Sequence, residues 1–160
     1  MTNLKTELKW AAIFILMGLI WMLLEKSFGL HDEHISKHAI YTNLVAIPSI
    51  AIYVFALLDK RKKFYDGKMT YLQGVYCGLI ITLFVTILTP VSQYITSMYI
   101  TPDYFSNAIT YAVESAQMNQ EDAAAYFNME NYIYQSVIFA PIVGTITSLI
   151  VAVFTKNKKG

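Results

Sequence analysis

The chain has 160 residues, of which 56% are hydrophobic and only 14% charged, with a formal net charge of +1 and a mean hydropathy of +0.44. A typical soluble domain carries about 25% charged residues, and a domain this small cannot bury so much apolar surface in its own core. The composition excludes an ordinary soluble domain and points to lipid as the solvent, while the single Cys77 excludes an intramolecular disulfide.

A bilayer core about 30 Å thick is crossed by about 20 apolar helical residues. The first predicted span covers residues 10–28, with Glu25 and Lys26 near its far end and within reach of the headgroups. It has the basic start and apolar middle of a signal peptide. Residues 25–30 offer no small-x-small cleavage site, so a retained anchor is expected.

Residues 31–38 follow as a short polar connection. If they are helical, His31, His34 and His38 share one face. Imidazoles so placed are candidate ligands for zinc or another transition metal, with Asp32 or Glu33 to supply or orient a ligand. The same histidines could sense pH. The plainer alternative is a solvated turn. The H-E-x-x-H arrangement is absent.

The second span is expected at residues 39–58, without a charge, and carries a loose small or polar row of Thr42, Ala46, Ser49, Tyr53 and Ala56. The third is expected at 70–95. No charge follows until Asp103, which is more than one span needs, so this helix must tilt, kink or protrude. Gly74, Gly78, Thr82, Thr86, Thr89, Gln93 and Thr96 recur at steps of three or four and stay within an arc of about 120°. In lipid, helices associate through close backbone approach and interhelical hydrogen bonds. The row therefore reads as a packing face, with a polar pathway along Thr86, Thr89 and Gln93 as the alternative.

Residues 101–131 are predicted to form a helical cap on the outer side. Thr101-Pro102-Asp103 reads as a helix start. Phe105, Ala108, Ile109, Ala112 and Ala116 make its apolar stripe, and Asn119 with Asp122 resembles a second start. The fourth span, at 132–154, carries a ridge of Ser136, Ala140, Gly144, Ser148 and Ala152 that matches the third-span row. Pro48, Pro90 and Pro141 each fall inside a span, as breaks around a substrate site or as ordinary membrane prolines.

Four spans place ten Lys or Arg residues and three acids on one side, and two Lys and eight acids on the other. By the positive-inside rule both termini are expected in the cytoplasm. The fold class is thus all-α: a multi-pass membrane protein of four transmembrane helices with an extracytoplasmic helical cap.

Several blocks carry a family likeness. They are Leu23-Leu24-Glu25-Lys26, Gly29-Leu30-His31-Asp32-Glu33-His34, Tyr41-Thr42-Asn43, Asp59-Lys60-Arg61-Lys62, Met69-Thr70-Tyr71, Gln93-Tyr94-Ile95 and Pro102-Asp103-Tyr104-Phe105. Across nearly its whole length the chain resembles a bacterial membrane-protein family, domain of unknown function 4199. The resemblance implies a bacterial cytoplasmic-membrane location and brings no activity or site residue with it.

No nucleophile elbow, P-loop, dinucleotide fingerprint or metalloprotease signature occurs, so an enzyme is not expected, and no cofactor is. The leading expectation is a non-enzymatic structural, accessory or partner-binding membrane component. Its expected partners are the lipid bilayer, a second copy or another membrane protein, and not nucleic acid. The alternatives are a small oligomeric transporter or ion-coupled protein, and metal or pH sensing through the outer histidines.

Overall fold

The computed structural model describes residues 4–157; the expected cytoplasmic Lys158 and Lys159 lie outside the described residues. The chain is all-α, and the one β pairing among the described residues is an isolated bridge between Met69 and Asn157. Helices run over α1 (Lys5–Ser27), α2 (Ile35–Tyr41), α3 (Ala46–Phe64), α4 (Tyr71–Ile95), α5 (Tyr104–Glu114), α6 (Gln120–Tyr126) and α7 (Met129–Thr155). A 3-10 turn at Thr42–Val45 joins α2 to α3. Four segments are long and apolar enough to cross a membrane: Lys5–Ser27, Ile35–Phe64, Tyr71–Ile100 and Met129–Thr155. Each runs past the charge-free core that marks it in the sequence.

Local chemistry sets several boundaries. A reciprocal capping box starts α4: Gln73 N donates to Thr70 Oγ1 at 3.3 Å, and Thr70 N donates to Gln73 Oε1 at 2.8 Å. Asn119 caps α6 through Asp122 N at 2.9 Å, and Asn128 caps α7 through Asn131 N at 2.8 Å. Thr101 is not the cap of α5. Its hydroxyl and backbone N–H both turn back to the Thr96 carbonyl, at 3.4 and 2.8 Å. That return closes a π-helical turn over Thr96–Ile100, which absorbs the surplus length of the third span.

The prolines differ in kind. Pro90 and Pro141 lie in helix interiors, where each deprives a carbonyl of its donor. Pro48 falls in the first turn of α3, where no N–H is needed.

The tightest packing joins α4 to α7. A Cβ placed on Gly78 would stand 2.6 Å from Ser148 Cβ, and one on Gly144 would stand 2.5 Å from the Thr82 side chain. Each glycine of one helix thus receives a hydroxyl residue of the other. Gly74 meets Ala152 less tightly, where an added Cβ would stand 3.2 Å from Ala152 Cβ. Thr82 Oγ1 donates to the Gly78 carbonyl at 2.9 Å. With that hydrogen committed, the 2.8 Å contact to Tyr53 must be donated by the Tyr53 hydroxyl, which ties α3 to the α4–α7 pair. Ala11, Ala56, Leu57, Cys77, Ile81 and Val151 complete a small core.

One end of the assembly gathers the basic segments. Glu7 of α1 and Lys60 of α3 form a buried ion pair at 2.8 Å. Asp59 accepts from Lys9, Trp10 Nε1 and Lys63 at 2.9–3.1 Å, and Arg61 donates to the Thr155 carbonyl at 2.8 Å. Away from these contacts the helices present apolar side chains outward, among them Leu16, Ile20, Phe55, Leu83, Ile146 and Phe154. A soluble monomer does not expose apolar surface on this scale; a polytopic membrane protein does.

Replacing Gly78 with Leu forces a branched side chain against Ser148, and overpacking of this kind costs about 1–3 kcal/mol. Thermal unfolding in detergent is expected to show a clear fall in midpoint for Gly78→Leu, with part of it restored by adding Ser148→Gly. An unchanged midpoint for Gly78→Leu would remove the α4–α7 seam from its place in the fold.

Candidate metal centre

The other end of the assembly is built around Glu25, in the last turn of α1. The helix closes there with a Schellman turn: Leu30 N donates to the Glu25 carbonyl at 3.0 Å, and Gly29 N to the Lys26 carbonyl at 2.9 Å. Gly29 takes the left-handed conformation this turn needs, at φ +70°. The reversal brings His31 back over the end of α1. The Gly29 carbonyl then accepts from Asp32 N and His34 N, so α2 cannot begin before Ile35.

This local geometry decides which histidines meet. His31 Nε2 lies 3.0 Å from Glu25 Oε2, and His38 Nε2 lies 3.3 Å from the same oxygen. Glu25 Oε1 accepts from Trp21 Nε1 at 2.5 Å, one helical turn back. Glu25 and His31 are buried and His38 is nearly so. One ligating atom from each of the three lies within 4.8 Å of the others.

His34 does not belong to the group, which corrects the expectation that all three histidines converge. It sits at the N-cap of α2 with non-helical angles and is exposed, so the assumed helical spacing from His31 does not hold. The carboxylate comes from Glu25 and not from Asp32 or Glu33, both exposed. Glu25 itself is turned into the protein and does not reach the headgroups.

The surroundings fix these side chains. Asn107 of α5 donates to the His31 carbonyl at 2.9 Å, and Lys26 donates to the Ile100 carbonyl at 2.6 Å. The rings of His31, His38 and Tyr104 stand 5.2–5.3 Å apart in tilted or edge contacts. Tyr104 Oη lies 3.4 Å from His38 Nδ1 and 3.2 Å from Tyr132 Oη. Burial pushes the Tyr104 phenol above its ordinary value, so it stays protonated. His31 Nδ1 is buried and has no hydrogen-bond partner among the described residues. A cavity of about 200 Å³ adjoins the group, lined by both histidines, Thr42, Gln93, Ser97, Tyr104 and Tyr132.

The other residues singled out in the sequence fall elsewhere. Gly74, Gly78, Thr82, Gly144 and Ser148 are buried at the α4–α7 seam. Thr86 is half-buried beside it, with its hydroxyl donated to the Thr82 carbonyl at 2.8 Å. Thr89 donates to the Val85 carbonyl at 2.8 Å, and Gln93 Nε2 to Ser97 Oγ at 3.1 Å. Sequence reasoning set Glu25 aside as reaching the headgroups and missed Trp21 and Tyr104 as site residues. The signal for Glu25 was present, because an acid within an apolar span is a functional candidate by default.

Residues 9–157 match the model of a family described as protein of unknown function (DUF4199). No curated protein and no solved structure matches the chain. With the match running from the first turns of α1 past the end of α7, the chain belongs to the DUF4199 family.

Proposed function

We propose that this membrane protein binds a divalent transition-metal ion, zinc by preference, through Glu25, His31 and His38. The observation that carries the reading is the aim of both imidazole Nε2 atoms at one carboxylate oxygen, at 3.0 and 3.3 Å. Two metal bonds of about 2.0–2.1 Å meeting at a tetrahedral angle hold their donor atoms about 3.3–3.4 Å apart. The donors therefore already stand close to a coordination edge. Two histidines and a carboxylate suit zinc or non-haem iron, and three protein ligands leave a position for water from the adjoining cavity.

The partners of His38 and Glu25 fit as well, while His31 Nδ1 finds no acceptor among the described residues. A metal-bound histidine donates its second ring N–H to a nearby acceptor. With Nε2 ligating, His38 Nδ1–H points to Tyr104 Oη, and the Tyr104 hydrogen is free for Tyr132. Trp21 holds the non-ligating oxygen of Glu25.

The orientation belongs to this proposal too. The excess of Lys and Arg at the end that joins α3 to α4 favours both termini in the cytoplasm, which puts the centre on the outer side of a bacterial cytoplasmic membrane. A binding or sensing component, without catalysis of its own, is the simplest use of such a site.

Metal analysis of the purified protein after zinc loading and gel filtration is expected to give one equivalent, with a rise in thermal midpoint because the ion binds only the folded chain. Glu25→Gln and His38→Ala should each abolish retention. His34→Ala should retain it. Tyr104→Phe, which keeps the ring and loses the acceptor, should weaken affinity by about 10–100-fold. Binding should also weaken in acid, since a protonated imidazole cannot ligate. Equal zinc retention by wild type and Glu25→Gln would end the reading.

Labelling of single cysteines with a membrane-impermeant reagent in intact cells, in a Cys77→Ser background, tests the orientation. A cysteine at Gln120 should react and one at Lys62 should not; the reverse pattern would invert the topology.

A further inference from the structure

A second, larger cavity of about 430 Å³ lies within the membrane-spanning part, between α1, α3, α4 and α7. We propose that it is a binding groove for a neutral single-chain amphiphile, a lipid with one hydrocarbon chain and an uncharged polar head. The proposal does not rest on the metal reading.

Four observations lead to this occupant. First, the groove is bounded on the α4 side, where Tyr53 bonds Thr82 and Thr82 fills the space over Gly144. Second, it has a mouth. Ala46 on α3 and Phe139 and Val143 on α7 line it and are exposed, at a depth where hydrocarbon surrounds the protein. What enters sideways there comes from the bilayer.

Third, the lining carries no charge among the described residues and has its two amide side chains toward the histidine end, with the hydroxyl residues Ser49, Tyr53 and Thr147 deeper. Asn43, Gln93 and Ser136 each lie seven or eight residues from the histidine end of their spans, about 10–12 Å along a helix. They form a polar level that Gln93 shares with the cavity beside the histidines. Below it stand Phe14, Ile15, Val85, Phe139 and Val143. The Thr89 and Ser136 hydroxyls on these walls are spent on their own helices' carbonyls. Among the described residues no Lys, Arg, Asp, Glu or His lines the groove. A charged head would lose hydration without gaining a counter-charge, so the head is neutral.

Fourth, Gly18 of α1 lines the groove, and a Cβ placed on it would meet nothing within 4 Å. Glycine costs a helix about 0.8–1.0 kcal/mol relative to alanine. At Gly78 and Gly144 a close neighbour explains the glycine; at Gly18 what the missing side chain leaves is open space.

The test uses a monoacylglycerol with a photoactivatable group in its chain, added to the purified protein in detergent and in vesicles of phosphatidylcholine. After irradiation the labelled residues are mapped by mass spectrometry. Labels are expected on Val85, Phe139 and Val143, displaced by unlabelled monoacylglycerol. Gly18→Phe extends a ring from a Cβ position that meets nothing within 4 Å and should reduce labelling about tenfold, with the thermal midpoint held. The same chain with a phosphate head should label the groove far less, and Glu25→Gln should leave monoacylglycerol labelling unchanged. Labels spread evenly over outward residues such as Leu83, Ile146 and Phe154 would mean bulk lipid alone and overturn the proposal. So would cross-linking of Phe139 or Val143 to a second copy with label excluded. Equal labelling by the phosphate-headed probe would overturn the neutral head.

Discussion

Hydrocarbon gives helices no hydrophobic reason to associate, so the seating of α4 against α7 has to come from shape and hydrogen bonds. Gly78 beneath Ser148 and Gly144 beneath Thr82 supply the shape, each glycine receiving the side chain the other helix offers. Thr82 then serves three neighbours: it packs on Gly144, donates to the Gly78 carbonyl and accepts from Tyr53. The third helix is held by that last bond. Toward the histidine end the pattern changes. Ser136 and Ala140 on α7 face Ala46 and Ser49 on α3, small residues on both sides with nothing seated between them. One sequence habit, a small residue every fourth position, closes the lower half of the assembly and opens the upper half. What differs is whether the opposing helix brings a side chain to fill the gap.

Two buried carboxylates mark the two ends, and their partners separate their roles. Glu7 faces the ammonium of Lys60 in a pair whose separation would leave an uncompensated buried ion. That is a fastener. Glu25 has no such partner. The adjacent Lys26 is committed to the Ile100 carbonyl, and Glu25 is met by two imidazoles and an indole. Imidazole is neutral or charged according to what it binds, a proton or a metal. Glu25 thus has imidazoles where Glu7 has an ammonium, with the Trp21 indole as a fixed donor, and the proposed site lies at this end.

Much of the fold was legible because the membrane restricts the choices. Charge-free runs of the right length can only be helices, and rows at steps of four mark where they touch. The rows of α4 and α7 named the seam residues, although not which glycine would meet which hydroxyl, since that depends on the vertical register of two distant segments. The site was less legible. Grouping His31, His34 and His38 assumed one helix through all three, whereas Gly29 reverses the chain and delays α2 to Ile35. The reversal discards His34 and recruits Glu25, six residues before His31 and outside any spacing rule for a single helix. Thr101 misled for a similar reason: its caplike sequence ends a π turn and does not open a helix.

The threonine row of α4 invites comparison with an ion path, and the hydrogen bonds weigh against one. An ion travelling in hydrocarbon needs ligands at every step to replace its water. Thr82, Thr86 and Thr89 each give their hydrogen to a carbonyl one turn back, which suits helix packing and keeps those carbonyls from serving a cation. Among the described residues the groove walls carry no charge, and Thr82 fills the space between Tyr53 and Gly144. From the Glu25 cluster toward the opposite end, the nearest titratable carboxylates are Glu7 and Asp59, both already paired with lysines. On the proposed metal reading, an ion at Glu25, His31 and His38 would have ligands on one side only and would bind and leave at the same end of the helices.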